Sequence, residues 1–354
     1  MKNKVGKVLF FVLLTCSSCS SIYRFSVDIQ EPALITLPIS AQNVLILDNA
    51  ITQPENDGVE RTSTEQSIHT KYSLSLDSMV WTAIDEIAAV LDESHFFNTI
   101  AIYRKPLRTD TEWQSIHELS KEEQSDFYDT ENFDALFVID RLLFSVNEEI
   151  EKIQTGISFS ELKALVDLRA DGMITCSMYL YGKEKPLTTF TVSDSLFANY
   201  MIVADSTTLF KVIPEYALNE LSRMLGNNVA KHFIPTWKMS ERILFTGYNS
   251  RMQEATSYAA DHQWAKAESI WTAELGKRNR PTDKAKITFN IAVANEMQDK
   301  FDPAFEWAQK AKEHLKNANP NSDGREIELT DNYISELAKR IQNNRLLDVQ
   351  WGKE

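Results

Sequence analysis

The chain has 354 residues, of which 43% are hydrophobic and 25% charged, a composition typical of globular proteins rather than disordered ones. With 51 acidic against 37 basic residues, its formal net charge is −14, which repels nucleic acid phosphates and argues against a nucleic acid partner. The length is enough for two domains. Acidic residues are concentrated before residue 250 and the remainder is nearly neutral, so we predict a domain boundary close to that point.

Residues 1–18 carry the pattern of a secretory signal peptide. Three lysines come first, an apolar run follows over residues 8–14, and small residues then precede a cysteine. The apolar run is far shorter than the ~20 residues that cross a bilayer. The pattern therefore predicts an export signal and not a membrane-spanning helix.

The leader resembles that of bacterial lipoproteins, in which a peptidase cuts just before a cysteine preceded by small residues. Cys19 follows two serines and is the predicted lipidation site; Cys16, with Leu13 at the position where the family prefers leucine, is the alternative. The resemblance implies a mature chain anchored in a membrane through acylated cysteine, because two or more acyl chains hold a protein stably. Ser20, where an aspartate would imply retention in the inner membrane, implies the outer membrane, and we expect the protein to face the periplasm.

Residues 43–245 predict an α/β domain with a mixed sheet and flanking helices, following a tether over residues 19–42. Apolar runs predict strands over residues 43–48, 99–103, 133–139, 163–181 and 187–193. Apolar spacing of three and four predicts a helix from Val80 to Leu91, capped by Asp77 or Ser78, and further helices near 121–127 and after Pro214. The polar segment 51–72 predicts a mobile loop.

One cysteine lies outside the leader. Cys176 falls within an apolar, strand-like run, so we interpret it as a small buried residue, and a disulfide framework is excluded.

The order of these elements resembles that of periplasmic modules in curli-secretion and peptidoglycan-synthase-activator lipoproteins. The segment Asn-Phe-Asp-Ala-Leu-Phe-Val over residues 132–138 carries the likeness. The whole layout also resembles an uncharacterised lipoprotein family of Bacteroidetes with a repeat-type C-terminal region. The first resemblance implies a component of an envelope secretion or cell-wall-synthesis machine.

Residues 246–354 predict an all-helical domain, because no strand-like run follows residue 250. Small and aromatic residues recur there in two copies that resemble the tetratricopeptide repeat. The first copy has Ala255, Tyr258, Trp264, Ala267 and Trp271; the second has Ile291, Ala292, Phe301, Ala304 and Ala311. The resemblance implies that the alanines lie where paired helices approach closely, and that a further helix over residues 326–343 caps the stack.

In tetratricopeptide proteins the first helix of each repeat lines a concave groove. The corresponding positions here are Met252 and Thr256 in the first copy and Lys286, Phe289, Val293, Glu296 and Met297 in the second. The apolar members are spaced four apart and form one stripe, which a partner helix or extended peptide would bury. Alternatively, the first domain or the helix at 326–343 covers the stripe.

No catalytic constellation is found. None of the six histidines has a partner at metal-ligand spacing, and no phosphate-binding loop or nucleophile elbow occurs. The acidic residues Asp129, Glu131 and Asp134 and the run 148–151 are interpreted as solvated.

These observations predict neither a cofactor nor a metal, and not an enzyme. The expected function is a lipid-anchored scaffold that binds another envelope protein or peptide, with its oligomeric state open. The alternatives are the machine component and a hydrolase whose site is assembled from scattered residues.

Overall fold

The computed structural model describes residues 22–63, 68–131, 133–153, 163–203, 209–247, 249–318 and 324–353. The chain forms two compact units. The first, the α/β unit, comprises residues 32–236 and 350–354; the second, the helical unit, comprises residues 22–31 and 237–349. The chain is therefore not divided at a single point near residue 250. Residues 22–31 belong to the helical unit, and the segment that begins at residue 350 belongs to the α/β unit.

The α/β unit contains a seven-stranded mixed sheet. Its strands are β2 (Asn43–Asp48), β3 (Val59–Ser63), β4 (Ile68–Lys71), β5 (Thr99–Pro106), β6 (Ala135–Ile153), β7 (Lys163–Leu180) and β8 (Thr188–Val203). Strand β1 (Ile22–Glu31) belongs to the other unit. The first half of β6 pairs in parallel with β2 and its second half in parallel with β3, while β7 runs antiparallel along its whole other side. Three further strands extend this arrangement. Strand β5 pairs in parallel with β2, β4 pairs antiparallel with β3, and β8 pairs antiparallel with β7.

Two helices, α1 (Met79–Glu93) and α3 (Leu209–Ala230), cover one face of this sheet. The three-and-four spacing predicted for α1 is confirmed, since Met79, Ala83, Ile84, Ile87 and Leu91 are buried. The two helices touch closely at Gly226, where a Cβ atom would stand 2.6 Å from the carbonyl oxygen of Ala83. Glycine at this position therefore permits the contact that joins the two helices.

The other face is covered only in part. Helix α2 (Lys121–Glu131) and the segment before it enclose a smaller apolar cluster over β2, the first half of β6 and the end of β7. Its members are Leu45, Leu47, Leu119, Tyr128, Phe133, Leu136, Val138 and Tyr179. Beyond this cluster the long strands continue with exposed side chains on the same face.

The helical unit contains a two-stranded sheet of β1 (Ile22–Glu31) and β9 (Thr236–Phe245) and five helices. The helices are α4 (Ser250–Ala260), α5 (Trp264–Leu275), α6 (Pro281–Glu296), α7 (Phe301–Ala318) and α8 (Arg325–Gln350). Their buried residues form one core with the apolar end of β9. The mixed sheet and the helical C-terminal region agree with the predicted fold class at this level.

Several local predictions were wrong. Residues 51–72 contain β3 and β4 rather than only a loop, and β1 and β9 were not predicted. Helix α3 begins at Leu209, before Pro214, which lies within it. Ser78 occupies the N-cap of α1, yet its side chain makes no capping hydrogen bond.

Candidate functional site

The candidate site is the exposed face of the long strands, which we call the open face. It lies beyond the cluster under α2, where alternate residues of β6, β7 and β8 point away from the main core. Its members are Leu143, Ser145, Asn147 and Glu149 of β6, Asp167, Arg169, Asp171 and Met173 of β7, and Ser193, Ser195, Phe197 and Asn199 of β8. Most are polar, as expected for a surface in contact with water or with a partner.

Two acids face each other at one end of the open face. In the antiparallel register, Glu149 lies directly opposite Asp167, and Asp167 lies directly opposite Asn199. Both carboxylates are exposed, and no basic side chain of the described residues forms an ion pair with either. Like charges in directly opposed positions destabilise a sheet. The pair therefore costs stability and presents unneutralised negative charge.

The base nearest to these acids along β7, Arg169, is already engaged. Its guanidinium binds Asp171 through Nε at 2.9 Å and lies 5.5 Å from the ring centroid of Phe197. Asp171 in turn accepts a hydrogen bond from the hydroxyl of Ser195 at 2.6 Å. Phe197 is 69% exposed. This row of the open face thus offers an aromatic surface beside an internally balanced ion pair.

The row of acids lines an open trough of about 530 Å³. Its lining includes Asn147, Glu149, Asp167, Phe197 and Asn199, together with Arg169, whose charge Asp171 balances. An aromatic ring, two amides and two unneutralised carboxylates suit a polar, cationic group more than an apolar ligand.

A second cluster, the buried acid cluster, lies at the carboxyl end of β2 and at the irregularity of β6 between Ile139 and Arg141. Asp140 accepts hydrogen bonds from Ser177 at 2.6 Å and from Asn49 at 3.3 Å, and Asp48 accepts one from the backbone of Ala50 at 3.1 Å. Burial raises the pKa of both Asp48 and Asp140 to about 6, although these hydrogen bonds oppose the shift. Such shifts are common at functional sites, but they also occur in structural clusters.

A connecting segment over residues 107–119 closes this cluster. The backbone N–H of Leu107 donates to the carbonyl of Asp48 at 2.8 Å, and the carboxamide of Asn49 donates to the carbonyl of His117 at 2.7 Å. At its end, the backbone N–H of Leu119 donates to the hydroxyl of Tyr179 at 3.1 Å. The two acids are therefore enclosed within the fold.

The predicted groove in the helical unit is closed. Met252, Phe289, Val293 and Glu296 are buried, and Met297 is half-buried. The stripe is covered because Phe289 packs against Phe245 of β9 and Tyr333 of α8, at ring-centroid distances of 5.3 and 4.9 Å.

The two charged residues of the predicted groove are also engaged. Lys286 pairs with Glu326 at 3.0 Å. Glu296 accepts two hydrogen bonds at 2.9 Å from Arg242, one at 2.8 Å from Tyr333 and another from Arg340. Burial alone would raise the pKa of Glu296, but the hydrogen bonds and charges of the two arginines hold it below its usual value. Glu296 is thus an internal structural ion and does not direct a partner.

Two further groups of residues singled out from the sequence are the alanines predicted at helix contacts and the three cysteines. The five alanines predicted at helix contacts, Ala255, Ala267, Ala292, Ala304 and Ala311, are all fully buried. Cys176 is buried and free, as expected, and burial raises the pKa of its thiol. Cys16 and Cys19 lie outside the described residues.

The prediction that the acidic run 148–151 is solvated was wrong for Glu148. Its side chain is buried, binds Arg61 through Nε at 2.8 Å and Nη2 at 2.6 Å, and accepts a hydrogen bond from Tyr200. Because residues alternate in a strand, Glu148 faces the core side while Glu149 stays exposed.

Two further properties concern binding and location. Within the described ranges, no group of three or more histidine, cysteine, aspartate or glutamate side chains is arranged to hold a metal ion. In that same part of the chain, no helix is both long and apolar enough to cross a membrane.

Comparison with protein families identifies the α/β region. Residues 41–245, more than half of the chain, match the family described as a domain of unknown function (DUF8603). The chain belongs to this family. Residues 253–339 match a second domain of unknown function (DUF6340). No curated protein matches the chain.

Solved structures show only remote likeness. A Xanthomonas campestris protein of the family DUF330 is 8% identical, with a TM-score of 0.25, over 57% of this chain and 92% of that one. A minor lipoprotein from Acinetobacter baumannii is 6% identical, with a TM-score of 0.22, over 54% and 93%. Lipoprotein GNA1162 from Neisseria meningitidis is 11% identical, with a TM-score of 0.16, over 51% and 97%. At such low TM-scores these likenesses support no conclusion about this chain.

Proposed function

We propose that this protein is a lipid-anchored module of the bacterial cell envelope that binds another protein through the open face of its α/β unit. The observation that carries the binding role is the unneutralised pair of Glu149 and Asp167 within an exposed trough. A like-charge pair that costs stability is retained more readily where a partner neutralises it. The leader and its cysteine support the anchor.

The anchor is attached at Cys19, and the module faces the periplasm from the outer membrane. The helical unit acts as a scaffold of tetratricopeptide-like helix pairs, which the five buried alanines support. Because its apolar stripe is covered internally, the scaffold binds no partner in a groove at Phe289. This assigns partner recognition to the open face instead. The buried acid cluster is enclosed, and we therefore propose a binding protein rather than an enzyme.

Membrane attachment is tested by fractionating cells that express single-cysteine variants. Cys19→Ala should move the protein from the membrane fraction to the soluble fraction, while Cys16→Ala should leave it in the membrane. The reverse result would reassign the lipidation site to Cys16. Retention of both single variants in the membrane would contradict an anchor that depends on either cysteine alone.

Partner binding is tested by photo-crosslinking in cells. A photoreactive amino acid at Asn147, in the trough, should give a discrete crosslinked product, whereas one at the exposed Glu313 of α7 should not. Glu149→Lys should suppress the product at Asn147 because it reverses one charge of the pair. A product formed at Glu313 but not at Asn147 would place the partner on the helical unit and overturn the proposal.

A further inference from the structure

The outer edge of the sheet offers a place for another strand. Strand β8 has 16 residues and pairs with β7 along one side. On its other side, none of its backbone groups forms a hydrogen bond with backbone groups of the described residues. In an edge strand about half of the residues direct their N–H and C=O groups outward. β8 therefore presents a long row of donors and acceptors that have no backbone partner within the described part of the chain.

This edge lacks the features that usually prevent strand addition. Natural proteins protect exposed edges with lysine, proline or short length. β8 contains no lysine, arginine or proline, and Asp194 is its only charged residue. The carboxylate of Asp194 is already hydrogen-bonded within the protein: it accepts from Asn228 at 2.9 Å and from the backbone of Ser195 at 2.8 Å. The edge is thus unusually open.

We propose that β8 binds an extended, basic segment of a partner protein, which adds to the sheet as a further strand. This inference rests on the proposed function and specifies the chemistry of the partner. Main-chain hydrogen bonds would provide the pairing, and side chains over the open face would provide selectivity. The sequence expected of the segment alternates, because successive side chains of a strand point to opposite faces.

The acidic side chains near β8 indicate the charge of the segment that would pair with it. Strands lie about 4.8 Å apart, so a side chain opposite Asn199 on the added strand stands two spacings from Asp167. A lysine or arginine there extends over Asn199 towards the carboxylate of Asp167. Two residues along, the next lysine on this face meets the exposed ring of Phe197, a contact that suits a cation over an aromatic face.

A second copy of the chain is the less suitable occupant. The protein carries a net charge of −14, and pairing two copies at β8 would bring two acidic open faces together. A basic segment instead gains from the same charge. The partner is therefore a different protein with a strand-forming, cationic segment.

The test uses the full-length protein in nonionic detergent and three fluorescent ten-residue peptides, followed by anisotropy. The first peptide alternates lysine and valine, the second alternates glutamate and valine, and the third is the lysine peptide N-methylated on alternate residues along one edge. The lysine peptide should bind, and the glutamate peptide should bind at least about tenfold more weakly. N-methylation should also weaken binding at least about tenfold, because it removes several backbone hydrogen bonds.

Matched variants locate the site. Asp167→Asn should weaken binding of the lysine peptide about two- to fivefold, the usual range for one exposed charge contact. Glu151→Gln removes an exposed acid of β6 outside the Glu149–Asp167–Asn199 row and should change the affinity less than Asp167→Asn. Equal loss in the two variants, or equal binding of the N-methylated peptide, would indicate general electrostatic attraction and overturn strand addition.

Sedimentation of the protein without peptide measures its oligomeric state and so tests whether a second copy pairs with β8. A stable dimer that the lysine peptide fails to dissociate would show that a second copy holds the edge, and would overturn the proposal. Failure of the peptide to bind, while Asn147 still crosslinks to a partner in cells, would reject strand addition and leave the proposed function intact. Loss of the crosslink itself would reject the proposed function.

Discussion

Glu149 of β6 lies directly opposite Asp167 of β7, and both carboxylates are exposed on the same face of the sheet. The two residues are 18 positions apart in sequence and meet because β6 and β7 form a long antiparallel pair. Their neighbour Arg169 binds Asp171 instead. Two carboxylates that no basic side chain in the described ranges neutralises are the basis on which we assign recognition to this face.

The first prediction concerns the energetic cost of this pair. Asp167→Asn removes the repulsion and should raise the free energy of unfolding by about 0.2–1 kcal/mol, the usual range for cross-strand pairs. The measurement is the urea midpoint of the α/β unit at low salt, and the gain should shrink at high salt because exposed charges are screened. Glu151→Gln, opposite the apolar Leu165, is the control and should have little effect. A destabilised Asp167→Asn variant would show that the carboxylate has a structural role.

Much of the α/β unit was predictable because its signals are local. The apolar run at β2 and the three-and-four spacing in α1 each reflect burial that neighbouring residues impose. The pairing of β1 with β9 joins segments more than 200 residues apart, and no local pattern specifies such a partner. The alternation of Phe25, Val27 and Ile29 is typical of a strand, but we did not predict β1, and the pattern does not show where a strand would pair.

The site depended on pairing register, which the sequence alone does not contain. Three of the four residues 148–151 are glutamates, and only the strand geometry separates the buried Glu148 from the exposed Glu149. The same limitation affected the helical unit. The apolar stripe from Phe289 to Met297 was recognisable, but its covering by Phe245 and Tyr333 is a tertiary contact.

The second prediction concerns the pH dependence of the α/β unit. Burial raises the pKa of Asp48 from 3.8 to about 6, so between about pH 4 and 6 the folded state binds more protons than the unfolded chain. Stability from this group is therefore present at low pH and lost as the pH rises through 6. Asp48→Asn should stabilise the unit by about 1–3 kcal/mol above pH 6 and have little effect below pH 4.

Urea unfolding of the parent and Asp48→Asn at a series of pH values measures this difference. The exposed Asp126 of α2 provides the control, since Asp126→Asn should give no such pH-dependent gain. A gain that is the same at every pH would show that the amide acts through packing or hydrogen bonding and not through removal of a buried charge.

The third prediction concerns close helix contacts in the helical unit. Ala304→Leu should overpack a fully buried site and cost about 1–3 kcal/mol, and Ala267→Leu should behave alike. Ala273→Leu, at an exposed position of α5, is the matched control and should be nearly neutral. Urea midpoints compare the three variants. If Ala304→Leu were as stable as the parent, the buried alanines would not mark positions of restricted space.

The fourth prediction concerns the ion cluster around Glu296, which joins β9 to α6 and α8. The carboxylate binds the guanidinium of Arg242 at two points and also binds Arg340 and Tyr333. Glu296→Gln would leave two arginines without their buried counter-ion, so we expect a loss of about 3–5 kcal/mol in the helical unit. Glu336 binds the same Arg242 at 2.7 Å but is half exposed, and Glu336→Gln should cost less than about 1 kcal/mol.

The pH dependence of this cluster has the opposite sign to that of Asp48. Because the folded pKa of Glu296 is held below its ordinary value of 4.5, its contribution is present above that value and is lost as the pH falls through the folded pKa. The difference in unfolding free energy between the parent and Glu296→Gln should therefore be large at pH 7 and shrink below pH 4. Unfolding followed by near-ultraviolet circular dichroism at both values measures it, because Tyr333 packs within the cluster. Equal losses for Glu296→Gln and Glu336→Gln at pH 7 would mean that burial adds nothing to the ion pair, and would contradict its role as the internal counter-ion of this unit.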